Sequence, residues 1–326
     1  MRKVVILATG GTIAGRGEAG HATNYASGSI RIEELLASVP GISELAELEW
    51  VQAANLNSDD ITAAHWVQLG RVIEERSKEP EVAGFVVTHG TDTLEETAYF
   101  LHLTLKTDKP VVVTGSMRPA TALSADGPGN LYAAVALAAD AQAAGRGVLV
   151  VFANRIYGAR EVQKVNTFAL EAFWGGDFGC LGYMLEEKPY FYQQVLRKHT
   201  LQTAFSLADL TELPRVDVLY FTVDADPDGI AYAATNAKGL ILAGAGNGNY
   251  SQAWISQVAA LEEKGIPVVR CSRVSCGEVV WEDVFDRFGH VIRGGSLSPQ
   301  KAKILLRLAL AKSWGIAEIQ RAFLEY

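Results

Sequence analysis

Cysteine is scarce in this chain. Cys180, Cys271 and Cys276 are too few, and odd in number, for a disulfide framework, so a reducing compartment is the simpler expectation. Basic residues are also short: 29 Lys and Arg against 37 Asp and Glu leave a formal net charge of −8. That balance argues against nucleic acid as a main partner, because phosphate binding calls for a basic surface. No stretch approaches ~18 consecutive apolar residues, so no membrane span is expected. Met1-Arg2-Lys3 carries the charge of a signal-peptide n-region, but the apolar run after it stops at Ala8, too short for an h-region. The chain is expected to be cytoplasmic, or to have lost a leader.

Several chemistries are missing too. There is no phosphate-loop Gly-Lys-Ser/Thr, no His-Glu-x-x-His, no paired Cys-x-x-Cys and no Gly-x-Ser-x-Gly elbow. The six histidines are scattered and the cysteines lack partners at ligand spacing, so no metal is expected. Residues 244–249, Gly-Ala-Gly-Asn-Gly-Asn, superficially suggest a dinucleotide loop. They lack its final glycine, and no acidic residue follows ~20 positions on at a strand end, so no cofactor is expected.

What is present is a series of short apolar runs alternating with helical periods. With 326 residues, 49% of them apolar, the chain can bury a sizeable core and has room for roughly two domains. The expected fold is two α/β domains with mainly parallel sheets, a larger N-terminal one over residues 1–190 and a smaller C-terminal one over 215–326, joined by a linker over 191–214. Strands are expected over 4–8, 48–54, 85–88, 111–114, 148–152, 216–222, 239–243 and 266–271. Helices are expected over 30–39, 62–76, 131–144, 299–310 and 316–323, with residues 55–60 supplying a turn and N-cap for the second of them. Residues 16–29 and 155–166 read as loops.

The first strand runs into Gly10-Gly11-Thr12, which places a hydroxyl where the carboxyl edge of a parallel sheet opens into a crevice. Thr12 there can bind, react or cap. Tyr25, in the glycine-rich loop, is a surface anchor or a lid residue. A second Gly-Thr turn follows at Thr88-His89-Gly90-Thr91-Asp92, leading into a helix whose first turn holds Asp92, Glu95 and Glu96. Acids there suit the helix macrodipole, and Thr91 or Asp92 makes a good N-cap, but capping and catalysis place these side chains alike. His89 at a strand end reads first as a hydrogen-bonded structural residue. A threonine hydroxyl needs an adjacent base to act as a nucleophile, and Lys164 can fill that role if kept neutral, with an acid such as Asp92 to orient it. These residue types permit acyl transfer without establishing it.

Residues 8–15 (Ala-Thr-Gly-Gly-Thr-Ile-Ala-Gly) and 88–98 (Thr-His-Gly-Thr-Asp-Thr-Leu-Glu-Glu-Thr-Ala) resemble the two signature segments of the bacterial-type L-asparaginases. Residues 124–131, Gly246-Asn247-Gly248-Asn249 and Pro299-Gln300-Lys301-Ala302 extend the likeness in the expected order to the end of the chain. The resemblance is nearest to the two-domain asparaginase and glutaminase-asparaginase group. It implies hydrolysis of L-asparagine to L-aspartate and ammonia, with L-glutamine a second substrate. It further implies Thr12 as primary nucleophile, Tyr25 as its helper and lid, and Thr91, Asp92 and Lys164 as a second hydroxyl-based triad. Ser58 and Asp59 would hold the substrate's α-carboxylate and α-ammonium. Asn249 and Glu282 would reach a neighbour's site across an intimate dimer, within a homotetramer of two such dimers. Asp59 departs from the family, where Gln or Glu is frequent; one methylene less leaves the choice between Asn and Gln open, a difference worth only ~1–3 kcal/mol. The cysteine pair of some periplasmic members is also absent, Ser77 and residues 103–106 standing in those regions. The reading from a different class is a non-hydrolytic amino-acid-binding protein whose Gly-Thr turns hold carboxylates at helix N-termini.

Overall fold

The apolar run that opens the chain is buried almost end to end, because strands flank both its edges and helices cover both its faces. In this computed structural model, which describes residues 2–21 and 28–326 and only the backbone of residues 25 and 26, the chain divides into two compact units, Met1–Leu207 and Ala208–Tyr326. The division falls inside residues 191–214.

Twelve strands are described in the larger unit. In chain order they are β1 (Lys3–Gly10), β2 (Arg16–Gly17), β3 (Tyr25–Ala26), β4 (Glu47–Leu56), β5 (Val82–Thr88), β6 (Val111–Thr114), β7 (Val148–Phe152), β8 (Arg155–Gly158), β9 (Gln163–Lys164), β10 (Phe173–Trp174), β11 (Gly182–Leu185) and β12 (Lys188–Phe191). Eight of them form one sheet in the order β12-β11-β8-β7-β6-β5-β1-β4. From β7 to β4 every pairing is parallel; β8, β11 and β12 extend the sheet antiparallel.

The order β4-β1-β5 matters for function. The chain leaves β1 toward one side to make β4 and returns to the other to make β5, so the crossovers diverge at the carboxyl ends of β1 and β5. Ligands of open parallel sheets bind at such a switch point. One face is covered by the alanine-rich helix Gly127–Ala139, whose Leu131, Ala134 and Leu137 pack with Val4, Ile6, Val86 and Val112. On the other are the helices Ala63–Arg76 and Leu94–Thr104, where the Trp66 and Phe100 rings stack 5.1 Å apart.

The smaller unit carries four parallel strands in sequential order, β13 (Val216–Tyr220), β14 (Gly239–Gly244), β15 (Val268–Ser272) and β16 (Val291–Arg293). Leu240, Leu242, Trp254, Val258 and Val268 lie in its core. Both units are thus α/β with mostly parallel sheets, as the apolar runs predicted. Among the described residues, no helix is long and apolar enough to cross a membrane.

Several local expectations are corrected. The loop over residues 16–29 contains a two-stranded ribbon, β2 against β3. Residues 155–166 are not a polar loop: β8 turns back on β7 and β9 pairs with β10, and Ile156, Tyr157, Ala159 and Val162 are buried there. The alanine-rich helix begins at Gly127, four residues early, since Pro128 is tolerated in a first helical turn, and it ends at Ala139 before a separate 3-10 turn. Residues 58–60 form their own 3-10 turn, and the following helix is capped by Thr62, whose backbone N–H donates to His65 Nδ1 at 3.0 Å. A fourth strand, β16, was not expected; three residues are too few for a period to show.

Candidate active site

Two glycine turns meet at the switch point. Gly11 has φ 79° and leads into a 3-10 turn, Thr12–Ala14, while its N–H donates to Leu56 O at 3.1 Å. A Cβ on Gly11 would lie 2.4 Å from Gly90 N, and one on Gly90 would lie 2.9 Å from Ser58 Cβ. Only glycine at both positions lets the turns after β1 and β5 touch backbone to backbone while the Ser58 side chain of the turn after β4 packs against Gly90. The consequence is chemical. Thr12, Ser58 and Thr91, which follow or meet these glycines, are brought to one edge of the sheet, and all three are buried.

Thr91 and Asp92 do not cap the following helix. Its first residue is Leu94 and its N-cap is Thr93, whose side chain donates to Ser58 O at 2.7 Å and so ties the β5 turn to the β4 turn. Thr91 and Asp92 stand ahead of the helix, free of that duty. Lys164 reaches both: its Nζ donates to Thr91 Oγ1 at 2.9 Å and to Asp92 Oδ1 at 2.5 Å. The lysine side chain is 15% exposed and the aspartate 70%, so a largely sheltered amine faces a sheltered hydroxyl and an acid open to solvent. Lys164 lies on β9, not in a loop, and its backbone N–H donates to Glu95 Oε2 at 2.5 Å.

His89 is a structural residue. Its ring is fully buried; Nδ1–H donates to Gly90 O at 2.8 Å, and Nε2 accepts from Thr97 Oγ1 at 2.9 Å, which in turn accepts from Trp66 Nε1 at 2.7 Å. A carbonyl can only accept, so this network requires the neutral tautomer with its proton on Nδ1. Burial pushes the His89 pKa down from 6.5 to about 4. The unfolded chain therefore takes up a proton as pH falls through 6.5 while the folded chain does not until about 4. Above 6.5 the effect vanishes; between pH 7.5 and 5 it removes about 2 kcal/mol of stability. Burial lowers His199 and His290 in the same direction. Urea midpoints at the two pH values are expected to show this loss, and His89→Gln to show a shallower one. An equal pH dependence in the variant would exclude His89 as its source.

The motif over residues 124–131 explains itself as scaffold. Asp126 accepts from Met117 N and Arg118 N at 2.9 Å each. Asn130 donates to Gly115 O at 3.0 Å and accepts from Ala153 N at 3.0 Å. It thereby fastens the turns after β6 and β7 next to the β5 turn.

Of the remaining sequence candidates, Asp59 is exposed on the 3-10 turn Ser58–Asp60. Tyr25 belongs to β3, but its side chain lies outside the described residues. In the smaller unit, residues 245–249 form a tight loop closed by Ala245 N–H to Asn249 O (2.8 Å) and Asn249 N–H to Ala245 O (2.7 Å). The Asn249 Oδ1 atom is buried and has no partner among the described residues. Glu282 Oε1 accepts from Asn247 Nδ2 at 2.9 Å. Beneath them lies Arg270, fully buried, with Nε on Asp286 Oδ1 at 3.0 Å, Nη2 on Asp286 Oδ2 at 2.5 Å and on Val280 O at 2.7 Å, and Nη1 on Asn247 O. Sequence reasoning passed over Arg270, Thr93 and the anchoring role of Glu95. Glu95 alone offered a signal, being an acid one helical turn after Asp92.

Residues 3–197 match the family described as Asparaginase, N-terminal, and residues 215–323 match the Glutaminase/Asparaginase C-terminal domain. The chain belongs to the asparaginase family. Among its relatives, an L-asparaginase 2 of Escherichia coli strain K12 is 41% identical over 99% of this chain and 93% of that protein. A glutaminase-asparaginase of Acinetobacter glutaminasificans is 41% identical over 99% of each. The crystal structure of a probable cytoplasmic L-asparaginase from Campylobacter jejuni is 42% identical, with a TM-score of 0.96 over the whole of both chains. The expected family and two-domain fold are thus found on independent grounds.

Proposed function

We propose that the chain hydrolyses the side-chain amide of L-asparagine, giving L-aspartate and ammonia, with L-glutamine as a second substrate. The observation that carries the reading is the contact of Lys164 Nζ with Thr91 Oγ1 and Asp92 Oδ1 at a switch point that also holds Thr12 and Ser58. A threonine oxygen attacks the amide carbon while its proton passes to the base; the C–N bond then breaks, the proton goes to the leaving nitrogen, and water cleaves the resulting ester. By family likeness Thr12 makes the first attack and Tyr25 assists it. Thr91, polarised by Lys164 with Asp92 orienting the amine, serves the attack or the water step. Ser58 and Asp59 bind the α-carboxylate and α-ammonium.

Asn249 and Glu282 are assigned to a neighbour's site across a dimer, two dimers making a tetramer; the buried, unpartnered Asn249 Oδ1 supports a partner for that residue beyond those described. A cytoplasmic location is supported by the low and odd number of cysteines, Cys180, Cys271 and Cys276. A periplasmic one is carried in the name of a 40% identical Haemophilus influenzae relative.

The test is ammonia release from L-Asn, L-Gln and their D-isomers, repeated on dilution through the dissociation of any oligomer seen by sedimentation. The expected result is ammonia from both L-Asn and L-Gln, with kcat/KM values that differ by no more than the ~10–200-fold a methylene supplies, and activity falling with dissociation. Amino-acid binding without turnover would sink the hydrolase reading, and full activity in a demonstrated monomer would sink the shared site.

A further inference from the structure

Lys164 is held at both ends. Its amine meets Thr91 and Asp92, and its backbone N–H meets the carboxylate of Glu95. Thr91, Asp92 and Glu95 belong to one stretch of backbone, the turn leaving β5 and the first turn of the helix Leu94–Thr104. Lys164 comes from elsewhere: β9 is two residues long and pairs with β10 through Gln163↔Trp174 and Lys164↔Phe173. So short a ladder is a weak anchor, and a lysine adds several rotatable bonds before its amine. A second tie is needed to fix where Nζ stands relative to Thr91.

Glu95 is built for that. The helix macrodipole asks only for negative charge near the N-terminus and is served by an accessible acid such as the neighbouring Glu96, which is half-buried. Glu95, by contrast, is 3% exposed. Burying a carboxylate is costly unless its oxygens are hydrogen-bonded, so the burial is explained by what the carboxylate holds. Charge-assisted bonds to backbone N–H are short and strong, as the 2.5 Å contact with Lys164 N is.

We infer that Glu95 is a positioning residue, whose buried carboxylate pins the Lys164 backbone to the helix that follows Thr91-Asp92 and thereby sets Nζ between those two side chains. This rests on the role given to Lys164 above. A displacement of about 1 Å in a catalytic group can cost ~10²-fold in rate, so the effect belongs in kcat.

The variants are Glu95→Gln, Glu95→Asp and Glu95→Leu, alone and combined with Lys164→Met, assayed for kcat and KM on L-asparagine. Glu95→Leu is expected to lower kcat by ~10–100-fold with KM within about threefold. Glu95→Gln, which keeps an acceptor at full reach, is expected to stay within about fivefold of the parent and above Glu95→Asp, which keeps the charge but withdraws the oxygen by a methylene. In the Lys164→Met background, Glu95→Leu is expected to cost nothing more. A role in the helix dipole reverses the order, with Asp at or above Gln, and would overturn the inference even if Glu95→Leu does not fold. Parent kcat in Glu95→Leu beside an inactive Lys164→Met overturns the inference and leaves the lysine's role standing. Parent kcat in Lys164→Met overturns the lysine's role itself.

Discussion

Lys164→Met is expected to lower kcat/KM for L-asparagine by ~10²–10⁴-fold, the range in which a positioned proton acceptor contributes. Methionine keeps the length and apolar stem of lysine, so β9 and its pairing with β10 keep their packing while the amine that bonds both Thr91 Oγ1 and Asp92 Oδ1 is removed. Thr91→Ala deletes the other half of the same contact. The two losses are expected to be strongly non-additive, the double variant being little worse than the worse single one, because groups acting as a unit lose their effect together. Thr12→Ala is expected to be as damaging, and its combination with Lys164→Met tells whether the two threonines share one base. Initial rates of ammonia release and far-ultraviolet circular dichroism on the same samples make the measurement. A Lys164→Met enzyme with native circular dichroism and more than a tenth of parental kcat/KM would rule out the proton-transfer role.

The second large effect is on stability. Arg270→Met is expected to destabilise the protein by about 3–5 kcal/mol, the cost of leaving a buried charge without its partner. Arg270 and Asp286 are 0% and 1% exposed, and the guanidinium makes further bonds to Asn247 O and Val280 O. Asp286 Oδ2 also accepts from Glu282 N at 2.8 Å, so the pair joins the 245–249 loop to the segment that carries Glu282. Gly248, at φ 80°, lies against the Arg270 side chain, where a Cβ would approach Cγ to 3.1 Å. Arg270→Met with Asp286→Leu, which removes both charges, is expected to recover most of the loss, since an apolar pair of similar volume has no desolvation cost to offset. Urea unfolding of the four proteins closes the double-mutant cycle. If the double variant were no more stable than Arg270→Met, the hydrogen bonds to the two carbonyls, and not the ion pair, would carry the energy.

How much of this was legible beforehand varies residue by residue. β1 was readable because five consecutive apolar residues ending at two glycines leave few alternatives to a buried parallel strand. The Thr91 turn was readable from the short apolar run Phe85-Val86-Val87 that ends at Gly90. The Leu94 helix start was misplaced: Thr91, Asp92 and Thr93 all suit an N-cap, and only the folded backbone shows that the helix begins at Leu94, after a Thr93 whose hydroxyl is taken by Ser58 O. The placement of Lys164 was missed as well, because a two-residue strand has no period. The Glu95 contact spans 69 positions and the Arg270–Asp286 pair 16, across a strand and a loop, and no local pattern reports on either.

The sequence by itself determined the alternation of buried strands with helices, the positions where the backbone must turn without a side chain, and the list of groups able to do acyl chemistry. These are local properties, set by side-chain period, backbone sterics and residue type. Tertiary structure alone decided that β1 lies between β4 and β5, which makes the Gly11 and Gly90 turns neighbours. It also decided that Lys164 arrives from a distant short strand to meet Thr91, and that Glu95 and Arg270 are buried anchors and not surface charges. Those outcomes depend on which strands pair and which surfaces close over them, and that is a property of the whole chain's packing.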